Sequence, residues 1–431
     1  MGSGEKPASA KSFGNLLKTK YDFTWEVLDV IISGRSSIDS PNGFQTANRD
    51  EATRFIESYG YDSEDPIQGA EILGNFHEAL NFVRKNFLQP DNPNGLKLEI
   101  PRKILELTDA RDLLLMASSQ YPGQTTDTAS QQLRSWACCL LKVMHTIAHI
   151  DKDLRSPHFA DIQKQIFDRF YKFVFRDDEG QLFLGENVTD PMRIELVAFE
   201  TKPKKARDSI ILKLLHKPEN VAEDIFDRVG IRFITKSRLG ALRVVKYLKE
   251  KMIVMPPNIK PSRSRNTLVD LDFFRAEMQE VLMKVARSDV GFTDEKDIVD
   301  ALEKAAQPPR VNPDNPHSSE FYRSIQFTGR QLIKMTNPLY DELKELKSLT
   351  RKSTETPDSE RFQKVEKIVE RIDLRNLQRE VRFFYPFEVQ VVDELSNEEN
   401  EKGRSAHSEY KRAQVQTALR RVMGSLVDAG R

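Results

Sequence analysis

The apolar residues change period near residue 171, and that change divides the chain into two kinds of structure. From about Phe23 to residue 170 they recur three and four positions apart, as in Asn75–Phe87 (NFHEALNFVRKNF), Asp109–Ser118 and Ala129–Ile150. That spacing places them on one face of a helix. Beyond Tyr171 the runs shorten and begin to alternate. YKFVF, DDEG and QLFLG read as a hairpin around a glycine turn. Strands are expected at Met192–Glu200, Arg228–Thr235, Phe321–Ile333 and Val381–Asp393, the last broken by Pro386. Helices are expected at Ala206–His216, Ser237–Met252, Leu271–Arg287, Asp294–Ala306, 338–348, 358–379 and about Ser405–Val427. The expected fold is α+β: a disordered stretch at 1–15, an all-helical domain at 16–170, and a mixed β-sheet domain at 171–431 with a helical insertion at about 271–306. At 431 residues there is enough chain for two or three cores.

Composition narrows the function classes. Lys plus Arg and Asp plus Glu are both 66, so no global charge argues for nucleic acid or membrane. Charged residues make up 31% and the mean hydropathy is −0.55, and no apolar run reaches the ~20 residues of a membrane span. The opening MGSGEKPASAKS has no apolar signal region. Cys138 and Cys139 are adjacent, a spacing that strains a disulfide, so they are read as buried thiols in a reducing cytoplasm. His145 and His149 share a helix face, with Asp151, Asp153 and His158 following. A metal cluster or a degenerate phosphohydrolase site is one reading. Structural helix histidines are the better one, because HExxH and an adjacent His-Asp pair are both absent.

Five short stretches carry the chemistry. Lys205, Ser209 and Lys213 are four apart, one face of donors at a helix start, where the backbone itself favours anions. Asp227 heads an apolar strand, with Gly230 and Arg232 following. Asp227 and Arg232 differ in strand parity, so a bulge at Gly230 is needed for them to share a face. Alternation puts Tyr322, Ser324 and Gln326 together on a polar face, where a tyrosine ring is placed to stack on a base. Glu388 and Gln390 share one face of an otherwise apolar strand, and a lone Glu there needs a cation or a metal. Arg404, His407 and Lys411 line one helix face able to meet polyphosphate. Each stretch alone is balanced by a plain reading as strand entry, core edge or solvated face.

In order, Lys-x3-Ser-x3-Lys, Asp-x2-Gly-x-Arg, Tyr-Arg-Ser-x-Gln, Glu-x-Gln and Ala-His-x2-Tyr-Lys resemble the RelA/SpoT-type nucleotidyltransferases, the (p)ppGpp synthetases and their toxin relatives. The resemblance covers about 200–415. It implies a mixed sheet flanked by helices and Mg²⁺-dependent transfer of pyrophosphate from ATP to the 3′-hydroxyl of a guanine nucleotide. It implies that Asp227 and Glu388 hold the metal and that Lys205, Ser209, Lys213 and Arg232 meet the ATP phosphates. Tyr322 would stack on the acceptor base, and Gln390, His407 and Lys411 would support the phosphates and the metal shell. The chain departs from the family on the acceptor side. Pro203 stands where an Arg is expected, with Lys202 or Lys204 as substitutes, and Gln326 stands where the family has His. The acceptor is left open between GDP or GTP, an adenine nucleotide and an RNA 3′ end. The rival reading is a catalytically degenerate module that binds a nucleotide.

Overall fold

The structure is a computed structural model. It describes residues 46–62, 64–151, 158–202, 206–216, 228–287, 294–309, 322–352, 360–371, 379–402 and 407–429, with Ile32, Asp39 and Phe44. In chain order the elements are α1 (Arg49–Ser58), α2 (Pro66–Phe87), α3 (Arg102–Leu105), α4 (Ala110–Ala117), α5 (Thr128–Asp151), α6 (Phe159–Tyr171), β1 (Val174–Arg176), β2 (Leu182–Leu184) and β3 (Ile194–Thr201). There follow α7 (Arg207–His216), β4 (Gly230–Thr235), α8 (Arg238–Glu250), β5 (Arg265–Asn266), α9 (Leu271–Ala286), α10 (Glu295–Ala305) and β6 (Ile325–Thr336). The remainder are α11 (Pro338–Lys352), α12 (Glu360–Arg371), β7 (Glu380–Asp393), α13 (Glu394–Lys402), α14 (His407–Met423) and α15 (Leu426–Ala429). The α+β class is as expected, and α9 and α10 fall where the helical insertion is read.

The division at residue 170 is not where the chain separates. One compact unit gathers residues 1–156, 205–225 and 407–431; the other gathers 157–204 and 226–406. In the helical unit, α5 buries Leu133, Trp136, Ala137, Leu140, Val143 and Ile147, the i, i+3, i+4, i+7 stripe the sequence shows. Into the same core go Phe76, Ala79 and Val83 of α2, Leu214 and Leu215 of α7, and Ala418, Leu419 and Val422 of α14. Cys139 is fully buried, its Sγ 3.4 Å from the Met423 sulfur, and burial pushes its thiol up to about 12. Helix starts follow the local code. Asp65 accepts from Ile67 N–H with Pro66 at the first helical position, and Asp109 accepts from Arg111 N–H.

In the second unit the sheet order is β1-β2-β3-β4-β7-β6-β5. β4 and β7 run parallel and every other pair is antiparallel. Alternation gives the two faces opposite chemistry. Ile231 and Phe233 of β4, Phe387, Val389 and Val391 of β7, and Phe327 of β6 enter one core with α6 and α8, which contribute Ile162, Ile166, Phe170, Val244, Tyr247 and Leu248. The Tyr247 hydroxyl donates to Asp190 at 3.0 Å, satisfying the polar end of that buried ring. The opposite face carries Arg232, Glu388, Gln390 and Gln326.

Three local expectations are corrected. β7 is not broken at Pro386. The Glu388 N–H donates to Val229 O at 2.9 Å on the β4 side, and β4 begins opposite Glu388. The nitrogen of Pro386, two residues earlier, points the same way beyond the end of β4, so proline withholds no ladder bond. β6 begins at Ile325, so Ser324 lies outside the strand. It is buried, bonded to Thr267 through its backbone, and is not part of an open polar face. Finally, β4 keeps unbroken register with β7 from Gly230 to Thr235. The bulge lies on β3, between Leu196 and Ala198, not at Gly230.

Candidate functional site on the polar sheet face

Glu388 sits centrally on the polar face, opposite Gly230 on β4 and Thr328 on β6. It is 9% exposed, so its charge requires partners. The Lys202 ammonium donates to Oε2 at 2.9 Å and the Gln326 side-chain amide donates to Oε1 at 2.5 Å. Lys202 reaches Glu388 by passing over β4. Its backbone N–H bonds Gly230 O at 2.8 Å, and a Cβ built on Gly230 would stand 2.5 Å from Lys202 Cδ. Glycine at 230 leaves room for this close approach, and the Lys202 stem would have to shift for any larger residue.

Two residues along each strand lies a second cluster. Arg232 is opposite Gln390, and its Nε donates to Gln390 Oε1 at 3.1 Å. Its Nη1 lies 3.0 Å from Glu401, 3.5 Å from Asn397 and 3.5 Å from Glu200. Gln390 is buried, and its amide nitrogen donates to the Tyr322 hydroxyl. Asn400 of α13 clamps the backbone beside that tyrosine, donating to Arg323 O at 2.8 Å and accepting from Arg323 N–H at 3.1 Å. Tyr322 is therefore held by its hydroxyl and its flanking backbone.

Of the residues read from sequence, Arg232, Tyr322, Glu388 and Gln390 come together in this unit. Ser209 and Lys213 lie on α7 and Lys411 on α14, in the helical unit. His407 begins α14, but its side chain lies outside the described residues, as do Asp227, Lys205 and Arg404. The second half of the expected metal pair is thus not among them. His145 and His149 stack edge to face with ring centroids 4.5 Å apart, and His145 Nδ1 shares a 2.8 Å hydrogen bond with the Tyr59 hydroxyl. No group of three or more His, Cys, Asp or Glu placed to hold a metal occurs among the described residues.

Five contributors escaped the sequence reading: Lys202 as the Glu388 partner, Asn400 beside Tyr322, and Glu200, Asn397 and Glu401 around Arg232. The last two carry a signal that was legible, an i, i+4 spacing on α13 that sets both on one helix face. Lys202 is the more informative. Its ammonium stands where a cation would bind Glu388, so the carboxylate is a cation position by its own geometry, and one hard oxygen donor of this kind suits Mg²⁺. The carboxylates flanking Arg232 differ from Glu388. Glu200 and Glu401 are 49% and 51% exposed, so their ion pairs with Arg232 are solvent-screened and exchange at little expense.

No family model, curated protein or solved structure matches the chain. No described helix is long and apolar enough to cross a membrane.

Proposed function

We propose that the polar sheet face binds the polyphosphate of ATP and transfers pyrophosphate to a nucleotide or RNA 3′-hydroxyl, in the manner of the (p)ppGpp synthetases. The observation that supports this best is Glu388, one nearly buried carboxylate with Lys202 on one side and Arg232 two positions along the neighbouring strand. Phosphoryl chemistry needs fixed cations and an anionic ligand of this kind. In the reaction the acceptor oxygen bonds the β-phosphorus as its bond to the α–β bridging oxygen breaks. AMP leaves and the hydroxyl proton passes to water. Glu388, with Asp227, would hold Mg²⁺, which when bound neutralises charge on the transferring group. Arg232 exchanges Glu401 and Glu200 for phosphate oxygens and binds them through a planar fork. Lys202 releases Glu388 to the metal and turns its point charge to the same phosphates. Tyr322, fixed by Gln390, offers its ring to the acceptor base.

One observation favours a second reading, a module that binds nucleotide without turnover: the Lys202 ion pair already satisfies Glu388. A single experiment separates the two. The protein is incubated with Mg²⁺, γ-labelled ATP and a panel of guanine nucleotides, adenine nucleotides and RNA ends. A labelled pyrophosphorylated acceptor with stoichiometric AMP supports transfer. ATP binding by calorimetry with no labelled acceptor leaves the binding module, and absence of both removes the site.

A further inference from the structure

β6 and β7 run on together past the start of β4 as a two-stranded ribbon, paired from Gly329↔Phe387 to Thr336↔Glu380. One face of the ribbon is sealed by α6. Ile333 and Tyr385 are buried there, Phe159 meets Tyr385 edge to face, and Gln165 exchanges hydrogen bonds with Gln331 and Lys334. The other face continues the one that carries Glu388. Its successive pairs are Arg330↔Pro386, Leu332↔Phe384 and Lys334↔Arg382. Phe384 is 51% exposed and Leu332 41%, and the Arg330 guanidinium lies 6.0 Å from the Phe384 ring centroid. Arg382 pairs with Glu380 at 2.5 Å, whereas Arg330 and Lys334 have no carboxylate partner among the described residues.

An exposed phenylalanine on a ribbon is a liability that edge cations commonly guard. Guarding does not call for a guanidinium set against the ring, nor for cations on both sides of it that have no carboxylate partner among the described residues. Flat apolar surface interleaved with uncompensated positive charge is what stacked bases and a phosphate backbone require. We infer that the outer face of the β6–β7 ribbon binds single-stranded nucleic acid, with a base on Phe384 and phosphates at Arg330 and Lys334. This goes beyond the transfer reading and does not depend on it. Phe384 stands four residues, about 13 Å, from Glu388 along β7.

The test is fluorescence anisotropy on the full chain without ATP, using a labelled single-stranded RNA of about twelve nucleotides, within the span of known single-strand sites. The wild type is expected to bind with an affinity that falls as salt rises. Phe384→Ala should weaken binding about five-fold or more, Phe384→Trp should retain it, and Lys246→Ala on α8 should leave it unchanged. Arg330→Ala should lower the salt slope by about 0.7, one phosphate contact on a single strand. The inference falls if the RNA does not bind, if binding ignores salt, or if Phe384→Ala binds as the wild type does. Phe384 is exposed, so its replacements should keep the wild-type melting curve. Failure here would leave the ATP transfer assay untouched, and failure of transfer would leave this binding intact.

Discussion

His145 in the helical unit and Glu388 in the sheet unit are both ionisable groups drawn largely out of water, and the chain treats them in opposite ways. His145 is kept neutral. Burial, with the neighbouring His149 adding to it, brings its pKa down to about 4, and its Nδ1 shares a hydrogen bond with the Tyr59 hydroxyl. Glu388 is instead given two donors, an ammonium on one oxygen and an amide on the other. A neutral imidazole in an apolar wall serves packing. A carboxylate set between a lysine and a glutamine, nearly out of water, is a place whose geometry suits a cation.

The comparison is broken most sharply by exchanging the isosteres. Glu388→Gln keeps the shape and removes the charge. It should lower pyrophosphate transfer by about 10²–10³, the scale on which preorganised charge acts in active sites. His145→Gln should leave the rate within about two-fold, since no reacting group is placed there. Loss of activity in the histidine variant alone would reverse the assignment of roles.

The second effect is acid stability. A histidine whose folded pKa is depressed binds its proton more readily when unfolded, so stability rises with pH between the two values. Its contribution is complete above about 6.5 and is lost as pH falls towards 4. The difference corresponds to about 3 kcal/mol. Denaturant titrations at pH 7 and pH 4, read from buried Trp136 in a Trp25→Phe background, should show the loss. His145→Gln should lose about 3 kcal/mol less over the same interval. Parallel pH profiles for the two proteins would show that His145 does not titrate with unfolding.

Next is the ion pair itself. Lys202→Met leaves Glu388 without this cation, and Glu388→Gln leaves the 32% exposed Lys202 without this carboxylate. The double variant should be more stable than the sum of the single losses predicts, with a coupling of about 1–3 kcal/mol. Zero coupling would make the contact a surface pair of no consequence. The smallest effect is expected at Gly230. Gly230→Ala drives a methyl into the Lys202 stem and should cost about 1 kcal/mol, and its effect should largely vanish once Lys202 is already Ala, which removes the γ and δ carbons.

The alternation that separates Ile231, Phe233, Val389 and Val391 from Arg232, Glu388 and Gln390 was legible in the sequence, because strand parity is a local property. What was hidden was non-local. Ser324 reads as a strand residue until Thr267, far away in sequence, bonds its backbone. Lys202 reads as one of several lysines until its path over Gly230 to Glu388 is known. The two-residue β5 is too short to carry a period, and the polar α13 has no apolar stripe to reveal it. The unit boundary was missed for the same reason: nothing near residue 139 announces that its thiol meets Met423.

That last contact fixes a timetable. Met423 and its neighbours Leu419 and Val422 fill the core built on α5, so a ribosome that has finished α5 must add some 270 residues before this core can close. At about 5–20 residues per second that interval is roughly 15–50 s. Throughout it the surfaces of Leu140 and Val143 await their partner, joined later by Leu215, open to chaperones and to other nascent chains. Meanwhile every residue of the sheet unit, which lies between those segments in the chain, has already been made.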